Sequence, residues 1–293
     1  MLDACTTAVD CSGDLIRLAL AEDLGERGDV TSLATLTSGK RAIARIHSRT
    51  EGVLAGLPLA ARVFSELDAE VRVRLARGDG EQVSAGETLC EIEGRAVTLL
   101  GAERTALNFL QHLSGIATLT RRYVDAVAGT GATILDTRKT TPGWRRLEKY
   151  AVRMGGGSNH RLGLHDALLI KENHIAAAGG ITAALLRVRA CSAAEGLPVI
   201  IEVERLPQLN EALGLAPQRI LLDNMSLGDL REAVVRSDGR VPLEASGNMT
   251  LERVPAVAAT GVDFISVGAL THSAPVLDCS MRILTNGETT WTN

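Results

Sequence analysis

Short apolar runs alternate with amphipathic helical patterns along the second half of the chain. We predict six strands there, at 132–135, 167–170, 198–201, 219–222, 241–243 and 264–267. Helical periodicity separates most of these strands, at 183–194, 206–213, 227–236 and 251–259. Strands that alternate with helices are typical of parallel β/α units. Glu202, Asp223 and Glu244 follow one another at intervals of 21 residues, close to the shortest β/α unit, which favours a closed barrel.

The first half of the chain has a mixed pattern instead. Helices and strands are predicted at 14–22, 42–47, 57–67 and 71–75. Turn residues within 78–94 enclose two short strands, and Asp29 begins a turn with helix-capping residues. Residues 95–129 have one long helical pattern, which we expect Ser114 and Gly115 to interrupt. This half therefore indicates an α/β domain of a different kind.

Polar or charged residues follow each strand predicted in the second half. They are Asp136 to Lys139, Lys171 with Glu172, Glu202 to Glu204, Asp223 with Asn224, Glu244 to Asn248, and Gly268 with His272. Any single strand can end where polarity begins, but six in succession, carrying both acids and bases, indicate a site. The carboxyl ends of parallel barrel strands meet on one rim, where catalytic groups converge. We therefore place a functional site on this rim.

A cationic segment supplies one side of the rim. Between 136 and 171 there are eight Lys or Arg and three Asp or Glu, a local excess of five positive charges in a chain of formal net charge −4. Such a contrast predicts a focused anion site rather than a generally basic surface. Arg145, Arg146, Lys149 and Arg153 have near-helical spacing and are interpreted as a solvated helix face outside the site.

Composition also excludes several classes of protein. Aromatic residues make up 2% of the chain, too few for the stacking platforms of a single-stranded nucleic-acid binder. No apolar run approaches the length that crosses a bilayer, and no secretory signal is apparent. The five cysteines are scattered without a C-x-x-C pair, which argues against a disulfide framework or a zinc site. We expect the chain to be cytoplasmic.

The rim combines two kinds of chemistry. Its cations, which suit carboxylates and phosphates, are Arg138, Lys139, His160, Arg161, Lys171 and His272. Glu202 and Asp223 suit a hard cation such as Mg²⁺ or the hydroxyls of a sugar. Backbone N–H groups of 246–248 could hold a phosphate, while Gly155–Gly157 either does the same or forms a flexible loop. Asp136 is expected to orient the loop of Arg138 and Lys139. Together these features predict an enzyme for a phosphate-bearing polyanion, with a metal.

Several motifs, taken in order, carry a resemblance to a known family. They are Asp136-Thr-Arg-Lys-Thr, Asn159-His-Arg-Leu-Gly-Leu, Ile170-Lys-Glu-Asn-His, Glu202-Val-Glu, Leu222-Asp-Asn, Glu244-Ala-Ser-Gly-Asn and Val267-Gly-Ala-Leu-Thr-His. The first half adds Gly28-Asp-Val-Thr-Ser and Ala102-Glu-Arg-Thr-Ala-Leu-Asn. Over almost the whole chain, this series resembles the quinolinate phosphoribosyltransferase family.

The resemblance implies an α/β protein of two domains. An N-terminal α/β sandwich domain would span 1–115 and be joined by the C-terminal tail 275–293, and an open β/α barrel would span 116–274. The implied reaction transfers the phosphoribosyl group of phosphoribosyl pyrophosphate to quinolinate with decarboxylation. Its products are nicotinate mononucleotide, pyrophosphate and CO₂, in NAD biosynthesis with Mg²⁺. The resemblance also implies a homodimer in which Arg104 reaches the site of the partner subunit.

Individual roles are implied in the same way. Lys139, Lys171, Glu202 and Asp223 would be catalytic, and Arg138, His160 and Arg161 would bind the quinolinate carboxylates. Lys139 and His272 would hold phosphates, while Glu202 and Asp223 would meet ribose hydroxyls and Mg²⁺. The remaining expected substrate contacts are Thr137, Ser246, Gly247, Asn248, Val267, Gly268 and Ala269.

Two rival interpretations stay open from the sequence. A related phosphoribosyltransferase could use another base, such as nicotinate, or be a relative associated with metal transport. The three cations Arg104, Arg138 and Arg161 favour a dicarboxylate over a monocarboxylate. A catalytically inactive binding barrel is the rival from another class, and the intact Lys139 and Lys171 argue against it.

Overall fold

The computed structural model describes residues 12–284, which form two compact units. Within these residues, one unit comprises 12–119, Pro142–Gly156 and 274–284, and the other comprises 120–141 and 157–273. This division leaves the segment Pro142–Gly156, which the domain prediction assigns to the barrel, with the first unit. No helix in the described part of the chain is long and apolar enough to cross a membrane.

The first unit is built on an antiparallel sheet. Its helices are α1 (Gly13–Leu24), α2 (Val30–Thr35), α3 (Leu57–Leu67), most of α4 (Ala96–Ala126), and α5 (Arg145–Met154). Its strands are β1 (Arg41–Ser48), β2 (Gly52–Val53), β3 (Arg72–Leu75), β4 (Gln82–Val83), β5 (Thr88–Arg95) and β12 (Cys279–Ile283). The main sheet has the order β12-β1-β5-β3, and β2 pairs with β4. The described part of the C-terminal tail therefore completes the sheet of the first unit through β12.

Alternating burial explains why these residues form a sheet covered on one side. Ala44 and Ile46 of β1 are fully buried, whereas the residues between them are partly exposed. One face of α3 is buried, with Val63 and Phe64 inaccessible to solvent. The capping residue predicted at Asp29 begins α2, because its carboxylate accepts hydrogen bonds from the N–H groups of the first turn.

Helix α4 is continuous, so the predicted interruption at Ser114 and Gly115 is wrong. The hydroxyl of Ser114 accepts a hydrogen bond from the N–H of Ala55 at 3.0 Å and donates to the oxygen of Ala55 at 3.1 Å. A Cβ on Gly115 would lie against the carbonyl of Pro275 and 2.9 Å from the Cα of Val276. Tertiary contacts, and not a break in the helix, account for both residues.

Helix α5 only partly matches the predicted solvated face. Arg146 and Arg153 are exposed, but Lys149 is 2% exposed and its neighbour Glu148 is fully buried. Glu148 lies 2.9 Å from Nε2 of His112. The interpretation of Lys149 as part of a solvated face is therefore wrong, because packing buries six consecutive residues of this helix, 147–152.

The second unit contains the predicted β/α repeat. Its strands are β6 (Thr133–Leu135), β7 (Leu168–Ile170), β8 (Val199–Val203), β9 (Arg219–Asp223), β10 (Leu243–Ser246) and β11 (Phe264–Ser266). Its helices, after the last turns of α4, are α6 (Glu172–Ala178), α7 (Ile181–Arg189), α8 (Leu206–Leu213), α9 (Leu227–Ser237), α10 (Val254–Ala258) and α11 (Ala269–His272). All six strands are parallel, in the order β6-β11-β10-β9-β8-β7.

The barrel is open, which confirms the open barrel implied by the family resemblance and corrects the closed barrel inferred from the spacing of the acids. In the described residues, the edge strands β6 and β7 do not pair with each other. The free edge of β6 instead bonds to Ser158, whose N–H donates to Ile134 and whose oxygen accepts from Asp136. Because this segment satisfies the edge groups of β6, closure is not needed to protect them.

The register of the sheet places the strand-end acids at two levels. Glu202 and Glu244 both pair with Leu221, while Ser246 pairs with Asp223 two residues further along the strands. Strand β10 starts later than the predicted 241–243, so Glu244 lies inside the strand and is fully buried. Alternation along each strand then directs these four polar side chains to the same face of the sheet.

Candidate functional site

A cavity of about 730 Å³ opens at the carboxyl ends of the six strands. Its volume is in the range of small-molecule sites. Every strand of the sheet contributes to its lining, directly or through the loop that follows. Of the predicted site residues, the lining includes Thr137, Arg138, Lys139, His160, Arg161, Lys171, Glu202, Asp223, Ser246, Gly247, Asn248, Gly268, Ala269 and His272. The fold thus brings together most of the predicted set.

Lys139 and His272 converge on Gly268. A Cβ at Gly268 would lie 3.0 Å from Cδ of Lys139 and 3.1 Å from Nε2 of His272, so glycine permits both to approach. Thr271 donates a hydrogen bond to the carbonyl oxygen of Lys139 at 2.7 Å, and Thr137 accepts from the N–H of Lys139 at 3.0 Å. These bonds fix the Lys139 backbone and leave its ammonium at the cavity, where it can neutralise an anion.

The loop after β10 has an unusual backbone. Gly247 and Asn248 are both in the left-handed region, at φ +95° and +50°, as is Asn224 after β9 at φ +53°. The side chain of Asn224 packs against Gly247 where a Cβ would stand, and Nδ2 of Asn248 lies 3.4 Å from Oδ1 of Asn224. Successive backbone N–H groups in a tight turn can form a concave cluster that binds an anion.

Two guanidinium groups, those of Arg138 and Arg161, crowd together on another side of the cavity. Burial and the neighbouring charge of Arg138 lower the pKa of Arg161 below its ordinary value. Nε of Arg138 is buried and has no hydrogen-bond partner, and neither arginine forms an ion pair with a carboxylate in the described part of the chain. Two close cations without acidic partners form a site for a ligand with more than one negative charge.

Carboxylates hold the segment that carries Arg161. Asp136, fully buried after β6, accepts hydrogen bonds from Nδ2 of Asn159 and from the N–H of His160. Asp166 accepts from the N–H groups of residues 162 and 163, which close the loop. Burial opposes ionisation of Asp166, but these backbone bonds outweigh it and lower its pKa. Asp136 thus fastens the 159–160 segment to the end of β6.

Lys171 and Glu202 form an ion pair across neighbouring strand ends. Nζ of Lys171 lies 2.6 Å from Oε2 of Glu202. His174, for which the sequence indicated no role, accepts a hydrogen bond from the N–H of Lys171 at the start of α6. Asp223 accepts from Nδ2 of Asn224 at 2.8 Å. The acids predicted to meet metal and ribose therefore lie in the cavity, each with one nearby donor.

Glu202 and Asp223 fit a weakly protein-bound Mg²⁺. No cluster of three or more His, Cys, Asp or Glu that could hold a metal occurs in the described residues. Mg²⁺ is commonly bound by only one or two carboxylates, and completes its shell with water and substrate phosphate. The two cavity carboxylates agree with such a site and not with a preformed protein cage.

Glu244 is the principal residue that sequence reasoning missed. It lines the cavity floor, fully buried, where Ser266 donates to its Oε1. Its Oε2 lies 2.9 Å from Nη1 of Arg219 and 3.4 Å from Nε2 of His160. Nδ1 of His160 accepts from the N–H of Arg161 at 2.7 Å, so the proton of this ring lies on Nε2, toward Glu244. The 21-residue spacing that aligned Glu244 with Glu202 and Asp223 was the available signal.

Other predicted residues lie outside the cavity lining. The Val267 side chain is fully buried and its N–H bonds to Leu135 at 2.9 Å, so any substrate contact would come from its backbone. Arg104 is exposed on α4, in the first unit. Gly155–Gly157 follows α5, with Gly155 as its C-terminal cap, and does not line the cavity.

Comparison with known proteins matches this arrangement. A sequence model described as "Quinolinate phosphoribosyl transferase, C-terminal domain" matches residues 116–282, and the corresponding N-terminal domain model matches 29–114. The nicotinate-nucleotide pyrophosphorylase [carboxylating] of Mycobacterium leprae is 47% identical over 279 residues, which cover 94% of this chain and 98% of that protein. Quinolinate phosphoribosyltransferase [decarboxylating] 1b of Nicotiana tabacum is 44% identical, covering 92% and 81%.

Solved structures agree. NadC from Streptococcus pyogenes superposes with a TM-score of 0.90 at 41% identity, covering 94% of this chain and 98% of that one. The nicotinate-nucleotide pyrophosphorylase from Francisella tularensis gives a TM-score of 0.90 at 40% identity, covering 94% and 97%. Since one domain model alone spans more than half of the chain, and relatives match nearly all of it, the chain belongs to the quinolinate phosphoribosyltransferase family.

Proposed function

We propose that the chain transfers the phosphoribosyl group of phosphoribosyl pyrophosphate to quinolinate, and that it releases pyrophosphate and CO₂ and forms nicotinate mononucleotide. In the cell this reaction would serve NAD biosynthesis. The observation that carries the proposal is the unpaired Arg138–Arg161 cluster in the same cavity as Lys139 and His272. The cavity therefore offers one place for a dicarboxylate and another for phosphates.

The arginine pair would select the pyridine substrate. Each guanidinium can grip a carboxylate with two parallel hydrogen bonds. The lowered pKa of Arg161 reflects its burial and its repulsion by Arg138. A dianionic ligand would remove this repulsion, whereas a monoanion would leave one of the two charges uncompensated. This difference favours quinolinate over nicotinate.

Phosphoribosyl pyrophosphate would occupy the opposite side of the cavity. Lys139 and His272, which flank Gly268, would neutralise phosphate oxygens, and the left-handed peptides of Gly247 and Asn248 would bind a further phosphate. Glu202 and Asp223 would accept hydrogen bonds from ribose hydroxyls. Mg²⁺, held by these carboxylates directly or through water, would supply charge neutralisation of the departing pyrophosphate.

The reaction needs positioning and electrostatics more than a covalent nucleophile. The quinolinate nitrogen attacks the anomeric carbon as the bond to pyrophosphate breaks, through a state of oxocarbenium character. The bond from C2 to its carboxylate then breaks, its electrons pass into the cationic pyridinium, and C2 takes a proton from solvent. Lys139 would stabilise the leaving pyrophosphate, and Lys171, kept in place by Glu202, would stabilise carboxylate charge until CO₂ leaves.

A substrate comparison tests the proposal. With phosphoribosyl pyrophosphate and Mg²⁺, we expect quinolinate to yield equal amounts of pyrophosphate, CO₂ and nicotinate mononucleotide. Nicotinate in its place should react far more slowly. Faster turnover of nicotinate would contradict the assignment. The absence of Mg²⁺-dependent pyrophosphate release with either base would instead support an inactive binding barrel.

We also propose that the enzyme is a homodimer with shared sites. Arg104, a cation exposed on α4 and outside the cavity lining, would bind the substrate in the site of the partner subunit. Arg104→Ala and Lys171→Ala should each be nearly inactive, and heterodimers of the two should regain part of the activity, because one of their sites is intact. Verified heterodimers that stay inactive would contradict the shared site.

A further inference from the structure

From outside the cavity, Arg253 holds the loops that follow β9 and β10, on the side where we place phosphoribosyl pyrophosphate. It precedes α10, is partly buried, and does not line the cavity. Its Nη1 donates to the carbonyl oxygens of Gly247 at 3.2 Å and Asn248 at 3.5 Å, and its Nη2 donates to that of Met225 at 3.1 Å. One guanidinium thus joins the loop after β10 to the loop after β9.

Two of these carbonyls, those of Gly247 and Asn248, belong to residues in the left-handed region of the backbone. Residues that carry a Cβ are unfavourable in this region, so Asn224 and Asn248 require surroundings that hold them there. The C=O and N–H groups of a trans peptide point in opposite directions. Because the oxygens of Gly247 and Asn248 face Arg253, the N–H groups of residues 248 and 249 point away from it, and residues 247–249 line the cavity while Arg253 does not.

We infer that Arg253 is a positioning residue for phosphate binding: it orients the Gly247–Met249 peptides so that their N–H groups meet a phosphate of phosphoribosyl pyrophosphate. The inference rests on the proposed function of the site. A second brace acts on the same loop, since the hydroxyl of Tyr123 donates to the carbonyl oxygen of Met249 at 3.2 Å. Arg253 differs from Tyr123 in bonding to two loops at once, and it thereby reinforces the direct contact between Asn224 and Asn248.

The test compares the effect of one substitution on the KM values of the two substrates. Arg253→Met should raise the KM for phosphoribosyl pyrophosphate about tenfold, the equivalent of one charge-assisted hydrogen bond. The KM for quinolinate should stay within about twofold, because the side-chain hydrogen bonds of Arg253 go to the loops after β9 and β10 and not to the loop that carries Arg138. Arg253→Lys should recover part of the loss, since an ammonium can still reach one of the three carbonyls. Arg231→Met, which removes an exposed guanidinium from α9, is the matched control and should change neither KM.

A fluorescence or calorimetric titration with phosphoribosyl pyrophosphate, in the absence of quinolinate, gives a readout that is independent of turnover, and its Kd should rise in parallel for Arg253→Met. Equal KM values in wild type and Arg253→Met, or an equal rise in both KM values, would overturn the inference. A loss of thermal stability in Arg253→Met with an unchanged Kd for phosphoribosyl pyrophosphate would overturn it as well. Wild-type turnover of quinolinate is measured first, because its absence would refute the proposed function and not the role of Arg253.

Discussion

Replacing Glu244 by alanine removes a carboxylate that joins the floor of the barrel to the cavity. On the floor side, Arg219 donates to Glu244 at 2.9 Å and lies 4.0 Å from the centroid of the Phe264 ring. On the cavity side, Glu244 faces His160 and accepts from Ser266. The side chain of Glu244 is fully buried, so its carboxylate relies on these protein partners and not on solvent.

The expected magnitude follows from what alanine would leave behind. Arg219 would keep its charge in a mostly buried position without its partner, and breaking a buried ion pair in this way costs about 3–5 kcal/mol. Glu244→Gln keeps the shape and one acceptor oxygen, so we expect a smaller loss, about 1–3 kcal/mol. Either value is a large fraction of the roughly 5–15 kcal/mol by which a folded domain is stable.

Urea unfolding followed by circular dichroism at pH 7 measures these changes. The control is Glu232→Ala, which removes an exposed partner of Arg236 on α9 and should cost about 0.5 kcal/mol or less. We expect the loss of unfolding free energy to be largest for Glu244→Ala, smaller for Glu244→Gln and smallest for Glu232→Ala. A loss below about 1 kcal/mol for Glu244→Ala would refute the argument, because it would mean that Arg219 finds another partner or water at no cost.

The pH dependence adds a second check on Glu244. Burial opposes its ionisation, but hydrogen bonds from His160, Ser266 and Arg219 outweigh burial and lower its pKa below the ordinary 4.5. A carboxyl group whose pKa is lower in the folded than in the unfolded state stabilises the fold at any pH above its unfolded pKa. This stabilisation is lost as the pH falls through the folded pKa. The stability difference between wild type and Glu244→Gln should therefore shrink below pH 4.5. If the stability difference between wild type and Glu244→Gln stayed constant until acid unfolds the protein, the lowered pKa of Glu244 would be contradicted.

Three further changes test other parts of the structure. Gly115→Ala should destabilise by about 1–3 kcal/mol, because its Cβ would meet the backbone of Pro275, whereas Gly101→Ala in the same helix has only ordinary contacts and should be neutral or stabilising in thermal unfolding. Asp29→Ala should lower the unfolding free energy by about 1 kcal/mol in urea, because the α2 cap is lost, whereas Asp29→Asn should retain most of the stabilisation by the cap. Lys139→Ala should raise the KM for phosphoribosyl pyrophosphate more than that for quinolinate; equal effects in steady-state kinetics would remove its phosphate role.

Periodicity predicted most of the elements, because their burial repeats along the chain. The helices 57–67 and 206–213 were predicted with their observed bounds, and all six barrel strands exist. The interruption at Ser114 failed because local propensity cannot register a partner such as Ala55, which lies 59 residues away. The predicted exposure of Lys149 failed for the same reason, since spacing describes one helix and not what packs on it.

The sequence by itself determined the β/α repeat, the cationic segment and the motifs of the family, because these depend on residue order and type. The tertiary structure alone decided that Ser158 covers the edge of β6, that Glu244 is buried between Arg219 and His160, and that Arg253 holds the loop of Gly247 from behind. Each of these depends on hydrogen bonds between residues distant in the chain. Such hydrogen bonds form only once the strands are in register and the loops are packed, so the local sequence pattern does not predict them.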